Sequence, residues 1–318
     1  MKKIYVCCLA KLSTGGLTLA HQLCAKLRAF GFDSEMYYYY GHGMEKSNPV
    51  HDNYKKYNLP YVDEIEDKEG NIVVVPETRV NLLRRVRKAK KVIWWMSVDN
   101  YLRSLNSKRV KFEDLWGLNR YKISQKGIIH FAQSYYAIDY LQKKGVSKES
   151  IYYLSDYLDP VFFQGEFDSE KKEDIVLYNP RKGFEFTSKL IDAAPEIKWV
   201  PLQNMTPEMV RDTMEKAKVY IDFGNHPGKD RMPRETAMRK CCVITGKRGS
   251  AAFFEDVTIP NEYKFDDQES SIPMVIKKIQ DIFLNYNTCI EDFRDYREKI
   301  KGEEIQFDND VKKIFSIL

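Results

Sequence analysis

The residues best placed to do chemistry fall in one stretch, VYIDFGNHPGKDRMPRETAMRKCCVITGKRGSAAFFEDV, residues 219 to 257. Its loop crowds His226, Lys229, Asp230 and Arg231 together, Glu235 follows them, and Gly249, Ser250 and Glu255 close the segment. The run 219 to 223 reads as a buried strand, a helix opens at Pro233-Arg234-Glu235, Cys241 to Thr245 gives a second strand, and Gly-Lys-Arg-Gly-Ser turns into another helix. At this spacing an open α/β sheet holds a ligand at the carboxyl ends of its strands. The polar groups of the loop are therefore the candidates for chemistry.

Other strand ends carry polar groups in the same position. Ser13-Thr14-Gly15-Gly16 follows the apolar run Ile4 to Ala10 and opens a helix. Backbone amides there can face an anion or a sugar hydroxyl, and a plain tight turn explains the same glycines. Asn179-Pro180-Arg181-Lys182-Gly183 follows the strand Ile175 to Tyr178. The apolar strand Val92 to Met96 ends at Ser97-Val98-Asp99-Asn100-Tyr101, which puts Asp99 where an α/β crevice would be.

The elements that position these groups alternate along the chain. Helix Leu17 to Phe30 is stopped by Gly31, and strands follow at Ser34 to Tyr40 and Ile72 to Val75. Arg79 to Lys91 reads as a helix with a basic face, formed by Arg79, Arg84, Arg85, Arg87, Lys88, Lys90 and Lys91, with Lys108 or Arg109 in the next basic cluster. That face is either solvated or open to anionic lipid or a charged polymer. A basic loop (Arg103 to Lys111), strand Gly127 to Ala132, helix Ser134 to Lys144 and strand Ile151 to Leu154 complete the first half. A charged linker, Gln164 to Asp174, precedes a second round of alternation, including helices Phe184 to Ala193 and Pro207 to Ala217 and strand Lys198 to Pro201. A charged helical tail, Ile272 to Leu318, ends the chain. The expectation is an α/β protein of two doubly wound Rossmann-like domains, residues 1–160 and 161–318, facing across a cleft.

Composition narrows the function classes. The 318 residues exceed one ordinary core. With 43% hydrophobic and 31% charged residues, disorder is not the theme. A net charge of +5 favours phosphorylated ligands or an anionic surface and does not by itself argue nucleic acid. The six cysteines include two adjacent pairs in apolar runs and no C-x-x-C, the pattern of buried thiols in a reducing compartment rather than of disulfides or zinc ligands. The N-terminal apolar run ends at Lys11 and no long apolar span follows, so the expected location is cytoplasmic.

On these residues the chain resembles the GT-B glycosyltransferases, and among them the retaining group with a Glu-x7-Glu motif in the C-terminal domain. Glu235-Thr236-Ala237-Met238 stands at the family's "E-A-M-A". Val243-Ile244 stands at its buried strand, and Gly249-Ser250 to Glu255 at its glycine turn and following acidic residue. Asn179 to Gly183 resembles its basic strand-end loop, Gly15-Gly16 its N-terminal glycine loop, and Asp156 to Phe163 its "N-G-V-D…F" linker. Pro227 occupies the place of the first glutamate, and Asp99 or Asn100 lies nearest the family's N-terminal histidine.

The resemblance implies a nucleotide-sugar donor held mainly by the C-terminal domain, a glycan or lipid-linked acceptor held mainly by the N-terminal one, and neither metal nor cofactor. Arg181 and Lys182 would meet the diphosphate, Glu235 the donor's ribose, Gly249-Ser250 would offer amides to phosphate, and Asn179 and Glu255 would lie near the nucleotide. Glu255 also reads as a helix N-terminal charge. Cleaving a sugar–phosphate bond builds negative charge on the leaving diphosphate, which fixed cations stabilise; Arg181, Lys182, Lys229 and Arg231 supply them. Asp99, His226, Lys229, Asp230 and Arg231 are thus the candidate catalytic set. The leading expectation is a metal-independent, retaining enzyme of surface-polysaccharide synthesis, with a basic face that could rest on the inner membrane. The alternatives are a catalytically silent glycan- or nucleotide-binding subunit and a DNA-base glycosyltransferase, although nucleic acid is a poor match to so modest a charge. Asp308-Asn309-Asp310 matches a D-x-D metal motif but falls in the tail, where it reads as a solvated face.

Overall fold

The computed structural model describes residues 2–105, 123–159, 163 and 171–318. The basic cluster at Lys108 and Arg109 and the linker residues Gln164–Glu170 lie outside them. The chain divides into two compact units, Met1–Asp156 with Ile305–Leu318, and Tyr157–Glu304. The last residues therefore belong to the first unit, and the tail does not simply close the second domain.

The first unit is built on a seven-stranded parallel sheet. Its strands are β1 (Lys3–Leu9), β2 (Asp33–Tyr39), β3 (Tyr61–Val62), β4 (Ile72–Pro76), β5 (Lys90–Trp95), β6 (Ile128–Ala132) and β7 (Ile151–Tyr153), in the order β3-β2-β1-β4-β5-β6-β7. Every residue of β4 is buried, as expected of a strand covered on both faces. The order reverses between β1 and β4, so the ligand crevice of this sheet lies outside their carboxyl ends. There α1 (Gly15–Ala29) begins. Helices α2 (Val98–Leu105) and α3 (Tyr135–Lys143) follow β5 and β6; Ser134 caps α3, and Gly145, at φ +78°, follows its end.

Two expectations fail in this unit. Residues Glu77–Arg85 form a 3-10 segment, not an α-helix, with Leu83 and Val86 turned inward and Lys90-Lys91 already in β5. The basic residues thus lie on a 3-10 segment, the turn after it and the start of β5 rather than along one helix face. Arg103, expected in a loop, lies in the last turn of α2.

The second unit has a four-stranded parallel sheet, β8 (Glu173–Tyr178), β9 (Lys198–Pro201), β10 (Ala217–Asp222) and β11 (Cys242–Thr245), in the order β11-β10-β8-β9. The reversal falls between β8 and β10. Between the strands run α4 (Phe184–Ala193), α5 (Pro207–Lys216) and α6 (Arg231–Met238), followed by α7 (Ile272–Leu284), α8 (Tyr286–Cys289) and α9 (Arg294–Lys301). Lys172 staples the base of the unit: its buried ammonium donates to the carbonyls of Met214, Ala217 and Arg239 at 3.0, 2.7 and 2.7 Å. These include the last turn of α5 and the residue closing α6, where a cation is favoured.

The last helix, α10 (Glu303–Ile317), packs its later turns on the first unit. Asp308 is half-buried and pairs with Lys26 at 2.9 Å, while Asn309 beside it is exposed, so only part of the segment is a solvated face. All six cysteines are free and buried. Among the described residues no helix is long and apolar enough to cross a membrane.

Candidate functional site

The reversal between β8 and β10 gathers most of the polar residues singled out in the sequence. The β8 loop brings Asn179 to Gly183, the β10 loop brings Phe223 to Asp230, and the turn after β11 brings Gly246 to Ser250. Two glycines permit this approach. A Cβ on Gly183 would sit 2.3 Å from the Phe223 carbonyl carbon, and one on Gly249 would sit 2.1 Å from the His226 oxygen. Both have positive φ, +61° and +56°, so any other residue would be strained as well as blocked. Asn179 shapes the first loop by accepting from the Arg181 amide at 3.0 Å.

A chain of charges runs through the centre. Asp222, the last residue of β10, accepts from the Tyr220 hydroxyl at 3.0 Å and from the Gly224 amide at 2.9 Å. The His226 ring lies 3.4 Å by its Nε2 from Asp222 Oδ1, and 3.3 Å by its Nδ1 from Asp230 Oδ2. Asp230 Oδ1 in turn pairs with Lys182 at 2.9 Å. The ring is fully buried, at 0% exposure, which opposes a charge; the two carboxylates outweigh that and raise its pKa above 6.5. Burial likewise works against the Asp222 carboxylate, but His226 and then Lys182 hold its pKa below the usual value. His226 sits in the left-handed region at φ +44°, its carbonyl held by the Ser250 amide at 2.9 Å.

Beneath this chain lies a second buried cluster. Lys229 and Arg234 share the Glu303 carboxylate at 2.6 and 2.7 Å, with side-chain exposures of 4%, 0% and 6%. Arg234 also donates to the backbone oxygens of Lys229 and Asp230, fixing the loop that carries them.

The predicted residues differ in exposure and in the unit that carries them. Arg181, Lys182 and Arg231 keep surface exposure at the strand ends, with Arg231 Nε 3.3 Å from Glu235 Oε1. His226, Lys229 and Ser250 are buried and engaged internally. Ser250 donates its hydroxyl to the Gly228 oxygen at 2.7 Å and its amide to His226, so that amide is not offered to a phosphate. Glu255 is exposed in a turn with no helix starting at it, which removes its reading as a helix N-terminal charge.

Asp99, Gly15 and Gly16 belong to the first unit. Asp99 accepts from Tyr136 at 3.2 Å. Gly15 and Gly16 open α1, but the Tyr54 hydroxyl takes the Thr14 amide at 3.2 Å and so occupies part of that helix end. Sequence reasoning passed over Asp222, Arg234 and Glu303. A carboxylate closing the buried strand Val219–Asp222 was a usable signal for the first; nothing local marks the other two.

Asp222, His226 and Asp230 are also the one group of metal-ligating side chains found among the described residues, their nearest atoms within 4.8 Å of one another. Opposite nitrogens of the ring face the two carboxylates. Lys182 already balances Asp230.

No protein-family pattern matches the chain. No curated protein matches it either. Solved structures do. Sucrose-phosphate synthase from Thermosynechococcus elongatus superposes with a TM-score of 0.67 at 13% identity over 100% of both chains. Anabaena HepE in complex with UDP-glucose gives 0.64 at 8% identity, again over 100% of both. WaaG, a glycosyltransferase involved in lipopolysaccharide biosynthesis, gives 0.58 at 11% identity over 99% of each. At such identities the likeness is one of fold: the chain has the GT-B fold of these glycosyltransferases.

Proposed function

We propose that the chain is a glycosyltransferase that moves a sugar from a nucleotide-sugar donor to a glycan or lipid-linked acceptor, in the synthesis of a surface polysaccharide or related glycan. The observation that carries this reading is the set of cations that keep at least partial exposure, Arg181, Lys182 and Arg231, on the loops that follow β8 and β10, where the sheet reverses order. A diphosphate leaving group gains charge as the glycosidic bond breaks, and fixed cations stabilise that state above the ground state. Glu235 beside Arg231 is the group for the ribose. The complex of HepE with UDP-glucose makes uracil the first base to test, and WaaG's part in lipopolysaccharide synthesis supports a glycan acceptor. Retention of configuration, independence from metal, and a cytoplasmic location with the basic edge on the inner membrane face complete the proposal.

The test is release of UDP from a panel of UDP-sugars, with and without oligosaccharide acceptors. Lys182→Ala should lower turnover about 10- to 1000-fold, the range for losing one preorganised donor; wild-type turnover in that variant refutes the assignment. A second reading, a silent subunit that binds nucleotide sugar without transferring it, is favoured by Pro227 in the place of the first family glutamate and by the internal engagement of His226 and Lys229. UDP-sugar binding with neither transfer nor hydrolysis would select it.

A further inference from the structure

Between β2 and β5 the chain forms no α-helix: the crossovers are loops, the two-residue β3, and the 3-10 segments Asp52–Tyr57 and Glu77–Arg85. A doubly wound sheet relies on crossover helices to cover its faces, so this face of the first unit is covered only in part. The result is a cavity of about 520 Å³, within the range of small-molecule sites. Its floor is Tyr37 of β2, which pairs in register with Cys7 of β1. One wall is the chain after β3, residues 63–67, and the other is the stretch 81–86.

Both walls are fixed. Asp67 accepts from the amides of Arg87, Lys88 and Ala89 at 2.8, 2.9 and 2.9 Å, stitching the first wall to the turn behind the second. Asn71, 4% exposed, donates to the Glu66 oxygen at 2.9 Å and accepts from the Lys3 amide at 2.9 Å, which ties the same wall to β1. Ile65, Leu82 and Val86 line the interior with carbon and rest on the core of the unit. The polar side chains, by contrast, are unspent: among the described residues Tyr37, Asp63, Glu64, Asn81 and Arg85 make no side-chain hydrogen bond or ion pair, although all five line the one cavity.

The chemistry of the lining selects the ligand. Carboxylates Asp63 and Glu64 only accept, Arg85 only donates, and the Tyr37 hydroxyl and Asn81 amide do both. Such a set matches a molecule whose every polar group is donor and acceptor at once, as a sugar hydroxyl is. A free anion would face two carboxylates and a cation would face the guanidinium; a neutral polyol meets neither penalty. The aromatic ring beside these groups offers a flat apolar surface to the C–H face of a pyranose.

We propose that this cavity is a saccharide-binding site that takes a neutral oligosaccharide, one sugar ring laid on Tyr37 and its hydroxyls shared by Glu64, Asn81 and Arg85. The site is carried by the first unit alone, and its binding does not depend on the donor reading above. It gives the chain a second hold on a glycan, one that takes no part in bond breaking.

The experiment uses the full chain, with maltose, cellobiose, lactose and N,N′-diacetylchitobiose as probes, each titrated to about 50 mM while amide shifts are followed by NMR. The expected result is saturable shifts at residues 37, 63–67 and 81–86 with at least one probe, with a Kd of about 0.1–10 mM. Glu64→Gln and Arg85→Gln should each weaken binding about ten-fold, the loss of one hydrogen bond to a charged group. Their melting temperatures should match the wild type, because both side chains are exposed and unpaired. Asn81→Trp, which fills the cavity from its exposed rim, should abolish binding, and UDP affinity should be the same in all three variants. No shift at these residues with any probe overturns the proposal, as do shifts that survive all three substitutions. Shifts caused instead by inorganic phosphate and lost in Arg85→Gln would make the cavity an anion site, and shifts caused by diluting the unliganded chain would make it an interface between copies; either overturns the proposal too. A wild-type chain that binds saccharide here and binds no nucleotide refutes the donor-site reading alone.

Discussion

Glu303 offers the sharpest test of how the site loop is held. Its carboxylate is shared by Lys229 at 2.6 Å and Arg234 at 2.7 Å, and all three side chains are at most 6% exposed. Glu303→Ala removes the charge that both cations share inside the second unit. Breaking a buried pair in this way costs about 3–5 kcal/mol, against about 0–1 kcal/mol for a surface pair. For a unit of this size that is a fall of about 6–20 °C in its melting transition. Glu303→Gln keeps an acceptor for one partner and should lose less. Because Arg234 also holds the Lys229 and Asp230 carbonyls, UDP affinity should weaken along with stability. Scanning calorimetry of the full chain reads the first effect and isothermal titration the second. A Glu303→Ala protein melting within about 2 °C of wild type would refute the argument, for the cluster would then be energetically a surface one.

Three further predictions rest on other parts of the fold. Lys172→Ala leaves three buried carbonyls without their shared donor; a loss of about 3 kcal/mol or more is expected in denaturant melts, and a loss below about 1 kcal/mol would contradict the staple. Gly249→Ala puts a methyl against the His226 oxygen in a left-handed backbone, so stability should fall by more than about 1 kcal/mol and UDP affinity with it; an unchanged melt would count against the close approach. Glu77 is buried at the end of β4, and desolvation lifts its pKa from 4.5 to about 7 against the pull of the Met96 and Glu77 amides. The folded state then holds a proton that the unfolded state releases, so stability declines as pH rises from about 4.5 to about 7, by about 3 kcal/mol in all. Glu77→Gln should flatten that decline in melts at a series of pH values, and an unaltered slope would dismiss it.

How much of this could be read from the residues depends on the range of the interaction. Phe184–Ala193 and Lys198–Pro201 form the helix and strand that their patterns predict, residue for residue, because the signals are local, an apolar helical period that starts right after Gly183. Glu77–Arg85 misled, since Val80 and Leu83 are three apart and satisfy a 3-10 and an α-helical face alike. The two-residue strand Tyr61–Val62 is too short to show any period.

At the site, spacing located the loops but not the facing of their charges. His226 and Lys229 look available in sequence and are buried in the fold, while Arg181 and Lys182 look equally charged and stay at the surface. The partner that decides the fate of Lys229 and Arg234 stands 69 residues beyond Arg234. No local pattern carries that pairing.

We propose that the strand-end cations of the second unit hold the diphosphate of a nucleotide sugar. Calorimetric titration of UDP-glucose into wild type and Lys182→Ala tests it most directly. The wild type should bind saturably and the variant with an affinity about ten-fold or more lower, since a charge-assisted contact to phosphate is worth about 1.5–3 kcal/mol. Equal affinities in the two proteins would contradict it.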